Sequence, residues 1–204
     1  ESNKNLLVLA VLAHNFGMVD KFSTLLNRID ASSGYLSYLR SLESLSHHNA
    51  AKAEELLRES SDLAPYALEP SILLVNLLGT DFKANKKKIL AIAERANQTF
   101  KADAYTPSVS LVSLHYRIGT EALRSNDCDQ AREQFEQAEK HLSYIQKLVA
   151  GKDIRALLNI GNANALYCKD KKDDAQALFE KAKKLVKREK ADELCKLYSG
   201  GCSN

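Results

Sequence analysis

Two stretches in the second half of the chain repeat the same residue types in the same order, and this repetition constrains the fold most. One reads IGTEALRSNDCDQAREQFEQAEK from Ile118, and the other reads IGNANALYCKDKKDDAQALFEKAKK from Ile160. The shared spacing of Ala, Phe and Ala is carried by Ala131, Phe135 and Ala138 in the first and by Ala175, Phe179 and Ala182 in the second. An earlier copy places Ala53, Leu57 and Pro65 in the same way. The step of roughly 40 residues predicts an array of similar structural units.

Each unit is predicted to be helical. Apolar residues recur every three or four positions along almost the whole chain, which is the period of a helix buried on one face. Strand-like alternation is sustained nowhere. The chain has only 3 Pro and 8 Gly, and this scarcity of turn residues favours long helices over short strands. Short polar breaks divide the sequence into about ten helices.

The order of residues in these copies resembles the tetratricopeptide repeat. The aliphatic–Gly pair, the small residue, the aromatic four positions later and the next Ala all match, and Asp62-Leu63-Ala64-Pro65 is similar to that repeat's closing turn. The resemblance implies a right-handed superhelical array of antiparallel helix hairpins, with a C-terminal capping helix. Gly119 and Gly161 would leave room for a neighbouring helix, and Phe135 and Phe179 would fill the space between hairpins.

We predict a single domain of this kind over residues 1–198. Its hairpins are expected at about 4–31, 33–65, 68–101, 108–147 and 152–188, followed by a cap at 190–198 and a flexible tail at 199–204. The most apolar run, Leu6–Ala13, is too short for a bilayer, which needs about 20 residues. We expect a buried first helix there, with a further interface to a partner because the run has no polar face.

The sequence shows no pattern typical of an enzyme. It has neither a Gly-rich phosphate loop nor a Gly-x-Ser-x-Gly elbow. His47 and His48 are interpreted as solvated turn residues, because no Cys or carboxylate trio accompanies them. We therefore predict no catalytic residue, no metal site and no cofactor.

Binding is the better hypothesis. Such an array exposes the first helix of each hairpin on its concave face, and the polar candidates there are Asn76, Arg117, Arg155, Asn159 and Asn162. An Asn amide can form hydrogen bonds with both the N–H and the C=O of an extended peptide. The Arg guanidinium can donate two parallel hydrogen bonds to a carboxylate. These residues predict a non-catalytic scaffold or adaptor that binds a peptide segment or helix of a partner protein, as a subunit of a larger complex.

Two alternatives stay open. A basic flank near the C-terminus, formed by Lys183, Lys184, Lys187 and Lys190, is a candidate patch for an acidic partner or RNA and would suit a ribonucleoprotein subunit. The net charge of only +3 and the lack of interleaved aromatic residues weigh against nucleic acid. The other alternative is a regulatory module of a larger protein whose active part lies elsewhere.

The cysteines are the last feature, and they bear on the redox state and cellular location of the protein. They are Cys128, Cys168, Cys195 and Cys202, without a Cys-x-x-Cys pair and with three in the last quarter of the chain. A disulfide framework would be spread more evenly. We expect reduced thiols and a cytoplasmic or nuclear location, with a Cys195–Cys202 bridge as the alternative.

Overall fold

The structure is a computed structural model that describes residues 2–101, 109–143 and 151–186. Within these ranges the chain forms ten α-helices and no strand. They are α1 (Asn3–Asn15), α2 (Val19–Asn27), α3 (Gly34–Ser46), α4 (Ala50–Leu63), α5 (Glu69–Gly79), α6 (Phe82–Lys101), α7 (Val109–Arg124), α8 (Cys128–Ser143), α9 (Gly151–Tyr167) and α10 (Lys172–Leu185). Neighbouring helices pack as the pairs α1–α2, α3–α4, α7–α8 and α9–α10.

The predicted all-α organisation as a solenoid of helix hairpins is thus confirmed. By their contacts the residues divide into two compact units, Glu1–Leu77 and Leu78–Asn204, with the boundary inside α5. The single domain over 1–198 and the right-handed superhelix stay predictions. The predicted cap at 190–198 and the tail at 199–204 lie outside the described residues.

In the first unit, α1 buries one face against its hairpin partner. The core is formed by Leu6, Ala10, Ala13, Phe22, Leu25, Leu26, Ile29, Leu36 and Leu39. The α1 members recur at helical spacing, so a single stripe of this apolar helix is covered. Val8, Leu9 and Leu12 on its remaining surface stay exposed. None of the helices in the described ranges has the length and apolar character needed to cross a membrane.

In the second unit, the buried ring of Phe135 on α8 lies between two helices that each carry a glycine. A Cβ added at Gly119 of α7 or at Gly161 of α9 would come 2.8 Å from Phe135 Cε1. That distance is far inside van der Waals contact, so both positions need a residue without a side chain. The room predicted at these glycines is therefore occupied by an aromatic ring from α8.

The cysteine pairing differs from the sequence expectation. Cys128 at the start of α8 and Cys168 just after α9 form a disulfide, with Cα atoms 5.9 Å apart. The prediction of reduced thiols is wrong for this pair, because stacked hairpins bring the two inter-helix turns together and cysteines within about 7 Å can be bridged. The alternative Cys195–Cys202 bridge lies outside the described residues.

Candidate interaction site on α9

The polar residues predicted on α9 share one side of that helix. Ala156, Ile160 and Ala163 belong to the apolar cluster that α9 forms with α10, and Gly161 faces Phe135 of α8. At about 100° per residue, Arg155, Asn159 and Asn162 fall on the side of α9 that makes none of these contacts. The three form a stripe, called the α9 stripe below, and its backbone position is fixed by packing on the other faces.

The α9 stripe is less accessible than the sequence predicted. Arg155 is half-buried and Asn159 is buried. Asn162 is only 7% exposed, and its Oδ1 has no hydrogen-bond partner among the described residues. A buried carbonyl oxygen without a donor costs about 1–3 kcal/mol, so a donor that reached this atom would stabilise the folded chain.

Arg117 lies on α7, the helix that contacts α9 within the same unit. It is half-buried, and its Nη1 is 4.0 Å from Oε1 of Glu121. The same Glu121 oxygen accepts a hydrogen bond from Arg124 at 2.8 Å. Because Glu121 is shared, Arg117 is held loosely and keeps donors for a carboxylate or a peptide carbonyl.

Asn76 belongs to the first unit and forms a site of its own. It lies on α5 and is half-buried, and its Oδ1 is buried without a partner in the described part of the chain. It interrupts the otherwise apolar run from Ile72 to Leu78. The structure adds that its oxygen, like that of Asn162, lacks a donor.

The predicted basic patch is described only in part. Lys183 is half-buried, and its Nζ donates to Glu180 at 3.1 Å, while Lys184 is exposed. Lys187 and Lys190 lie outside the described residues. Lys183 is thus partly neutralised on its own helix, which weakens the patch as an electrostatic site.

His115 has a polar environment that the sequence did not reveal. It is only 1% exposed, yet both ring nitrogens face side-chain amides. Nδ1 is 2.8 Å from Gln134 Oε1 and Nε2 is 2.9 Å from Asn97 Oδ1. The ring also stacks on His141, whose Nε2 lies 3.2 Å from the same Asn97 oxygen.

This network fixes the protonation of His115. Burial lowers its pKa to about 4, with His141 as a smaller cause and the Gln134 bond opposing, so the ring is neutral at pH 7. A neutral imidazole has one N–H. One of the two facing amides, Asn97 or Gln134, must therefore be turned so that its NH₂ group donates to the ring.

Metal binding has no support in the parts of the chain that the structure covers. No group of three or more His, Cys, Asp or Glu side chains able to hold an ion occurs there. His47 and His48 lie exposed at the α3–α4 turn, and His47 Nε2 is 3.5 Å from Ser23 Oγ.

Comparisons with known proteins identify the fold. No protein-family model matches the chain, and no curated protein matches it in sequence. Among solved structures, BtubC (BKLC) from P. vanneervenii superposes with a TM-score of 0.63 at 18% identity, covering 89% of this chain and 78% of BtubC. MamA (AMB-1), a tetratricopeptide-repeat protein, gives a TM-score of 0.56 at 14% identity, covering 86% of this chain and 94% of MamA. At such identities the likeness concerns the fold alone: a helical-repeat fold of the tetratricopeptide type.

Proposed function

We propose that this chain is a non-catalytic interaction scaffold or adaptor that holds an extended segment of a partner protein on the α9 stripe. The observation that carries the proposal is the buried Oδ1 of Asn162, which no donor of the described residues satisfies. A peptide N–H is a donor of the right kind, since every residue of an extended segment except Pro presents one. The helical-repeat fold supports the proposal, because stacked hairpins provide extended surfaces for such segments.

Neighbouring groups supply the rest of the site. Asn159 lies one turn before Asn162 on the same side of α9, and Arg155 extends the stripe by a further turn. Arg117 on α7 adds a second guanidinium in this unit. Amides that bond a peptide backbone hold it without reading its side chains, and the two arginines favour a segment that carries carboxylates. The partner is therefore an acidic segment, and the chain acts as a subunit of its complex.

The test compares binding with stability in two variants of α9. The Asn159→Ala/Asn162→Ala variant removes the proposed contacts and one unsatisfied polar atom, so it should unfold no more easily than the unaltered chain. The matched control is Asn164→Ala. Asn164 is equally buried on α9, but its Nδ2 is satisfied by the Ile160 carbonyl at 2.9 Å. The control should lose a little stability and keep binding.

Binding is first assayed by affinity capture from native lysate at low and moderate salt. The captured partner is then tiled as synthetic peptides, and their affinities are measured by calorimetry. Loss of peptide affinity of about tenfold in the double variant, with the control unchanged, is expected for two lost hydrogen bonds. Equal affinity in all three proteins would refute the proposal that the α9 stripe binds the peptide. If both variants capture the partner as well as the unaltered chain, but salt and nuclease abolish the capture, the ribonucleoprotein alternative is favoured instead.

A further inference from the structure

A polar cleft of about 330 Å³ lies between α6 and α8, with His115 of α7 among its lining residues. It is distinct from the α9 stripe, although both belong to the second unit. At one end α6 is tied to the turn before α8 by an ion pair between Lys86 Nζ and Asp127 Oδ2 at 2.7 Å. At the other end Asn97 bonds the two stacked histidines. These two ties hold α6 in place beside the cleft.

Two hydrogen bonds inside the cleft join a glutamine donor to a glutamate. Gln98 Nε2 donates to Glu94 Oε1 at 3.3 Å, and Gln130 Nε2 donates to Glu133 Oε2 at 3.0 Å. Gln130 is only 7% exposed and lines the cleft, yet its carbonyl oxygen has no partner in the described part of the chain. The cleft therefore offers oxygen atoms to whatever enters it.

The cleft also carries uncompensated negative charge. Glu94 and Glu133 both line it, and no Lys or Arg of the described ranges forms an ion pair with either. No basic side chain other than neutral His115 is among the lining residues. By contrast, Glu136 on the same helix α8 is paired with Arg132 at 2.8 Å. The two carboxylates thus remain available to an external cation.

We propose that this cleft binds the guanidinium of an arginine side chain from a partner polypeptide. A guanidinium has five N–H donors and no acceptor, which matches the Glu94 and Glu133 carboxylates and the Gln130 carbonyl oxygen of this cleft. Its planar fork can engage carboxylates bidentately, which an ammonium cannot do. Leu90 and Ala93 add apolar surface beside the carboxylates, suited to the methylene stem of the same side chain.

The probe is N-acetyl-arginine N-methylamide, titrated into the ¹⁵N-labelled chain and followed by amide chemical shifts. The reference ligand is the citrulline analogue, which has the same shape without the charge. We expect saturable shifts on α6 and α8 with the arginine compound. The citrulline compound should bind at least about tenfold more weakly, as loss of a charge-assisted hydrogen bond implies. Equal affinity for the two ligands, or no saturable shift on these helices, would overturn the proposal.

Two variants test whether the cleft is where the arginine probe binds. Glu94→Gln/Glu133→Gln keeps the shape of both exposed side chains and should weaken the arginine probe by about tenfold or more. Glu139→Gln is the matched control, since Glu139 is exposed on α8 and does not line the cleft. If both proteins retain full affinity, the cleft is not the site. The Asn159→Ala/Asn162→Ala variant should still bind the probe, so this proposal and the proposed function can fail separately.

Discussion

The second unit contains two contrasting places where α8 faces a helix of a neighbouring hairpin. Towards α9, α8 inserts the ring of Phe135 between Gly119 and Gly161, and the Cys128–Cys168 disulfide joins the ends of the two helices. The junction is completed by an ion pair between Lys169 and Asp129. Towards α6, the same helix borders an open cleft lined by amides and carboxylates. The face of α8 towards α9 is thus closely packed and is called the sealed junction below. The face towards α6 borders an open cleft.

The two repeats differ in polarity at one equivalent position. Four residues before Gly119, α7 carries His115, which bonds Asn97 and Gln134. Four residues before Gly161, α9 carries Leu157, which packs against an apolar cluster. A buried polar ring requires polar partners, and these partners belong to the rim of the cleft. The contrast teaches that the polar residue at this repeat position brings polar partners with it, and these partners line the cleft beside α8.

The largest expected effect comes from breaking the covalent part of the sealed junction. Closing the loop of 40 residues between Cys128 and Cys168 stabilises by about 4 kcal/mol in the chain-entropy treatment. The Cys128→Ser/Cys168→Ser variant should lose stability of that order in urea titrations, and Cys195→Ser/Cys202→Ser serves as its control. A non-reducing peptide map without a Cys128–Cys168 cross-link would contradict the pairing.

The sequence held a signal for this disulfide. When the two copies are aligned, Cys128 and Cys168 fall in corresponding turns of successive hairpins, and a solenoid stacks such turns side by side. Counting cysteines along the chain hid this relation, because it treats sequence position as if it were spatial position. The repeat pattern itself sufficed to predict the helices, the glycine positions and the role of Phe135.

The second-largest effect should be a loss of stability on acidification, caused by His115 beside the cleft. The folded-state pKa of His115 is about 4, below the usual value near 6.5, so the unfolded chain binds the extra proton first. The free energy of unfolding is therefore highest above about pH 6.5 and should fall by about 2 kcal/mol between pH 7 and pH 5. His141 adds to the loss, because burial and Lys140 lower its pKa as well.

The pH dependence is measured by urea titration at several pH values. His115→Gln removes the titrating group and should flatten the profile, while His48→Gln, at an exposed turn, should leave it unchanged. A profile equally steep in the His115 variant would show that His115 is not the source.

The candidate sites were less predictable than the fold. Periodicity indicated which side of α9 carries Arg155, Asn159 and Asn162, but it gave no measure of how deeply the two amides are buried. The cleft was missed because its residues come from three helices, and each is an ordinary polar side chain in its own helix. Only their juxtaposition, with the amide donors turned towards Glu94 and Glu133, produces a surface rich in acceptors.

The smallest expected effect tests the packing part of the sealed junction. Gly161→Ala places a Cβ 2.8 Å from the Phe135 ring, and such overpacking costs about 1–3 kcal/mol. Replacing a helical Gly by Ala regains about 1 kcal/mol of helix propensity, so a net loss of about 1 kcal/mol is expected in urea titrations. In a Phe135→Leu background the same substitution should cost less, because the clashing ring atoms are gone. If its cost is the same in both backgrounds, the ring does not account for the glycine, and the junction is held by the disulfide and the ion pair rather than by close packing.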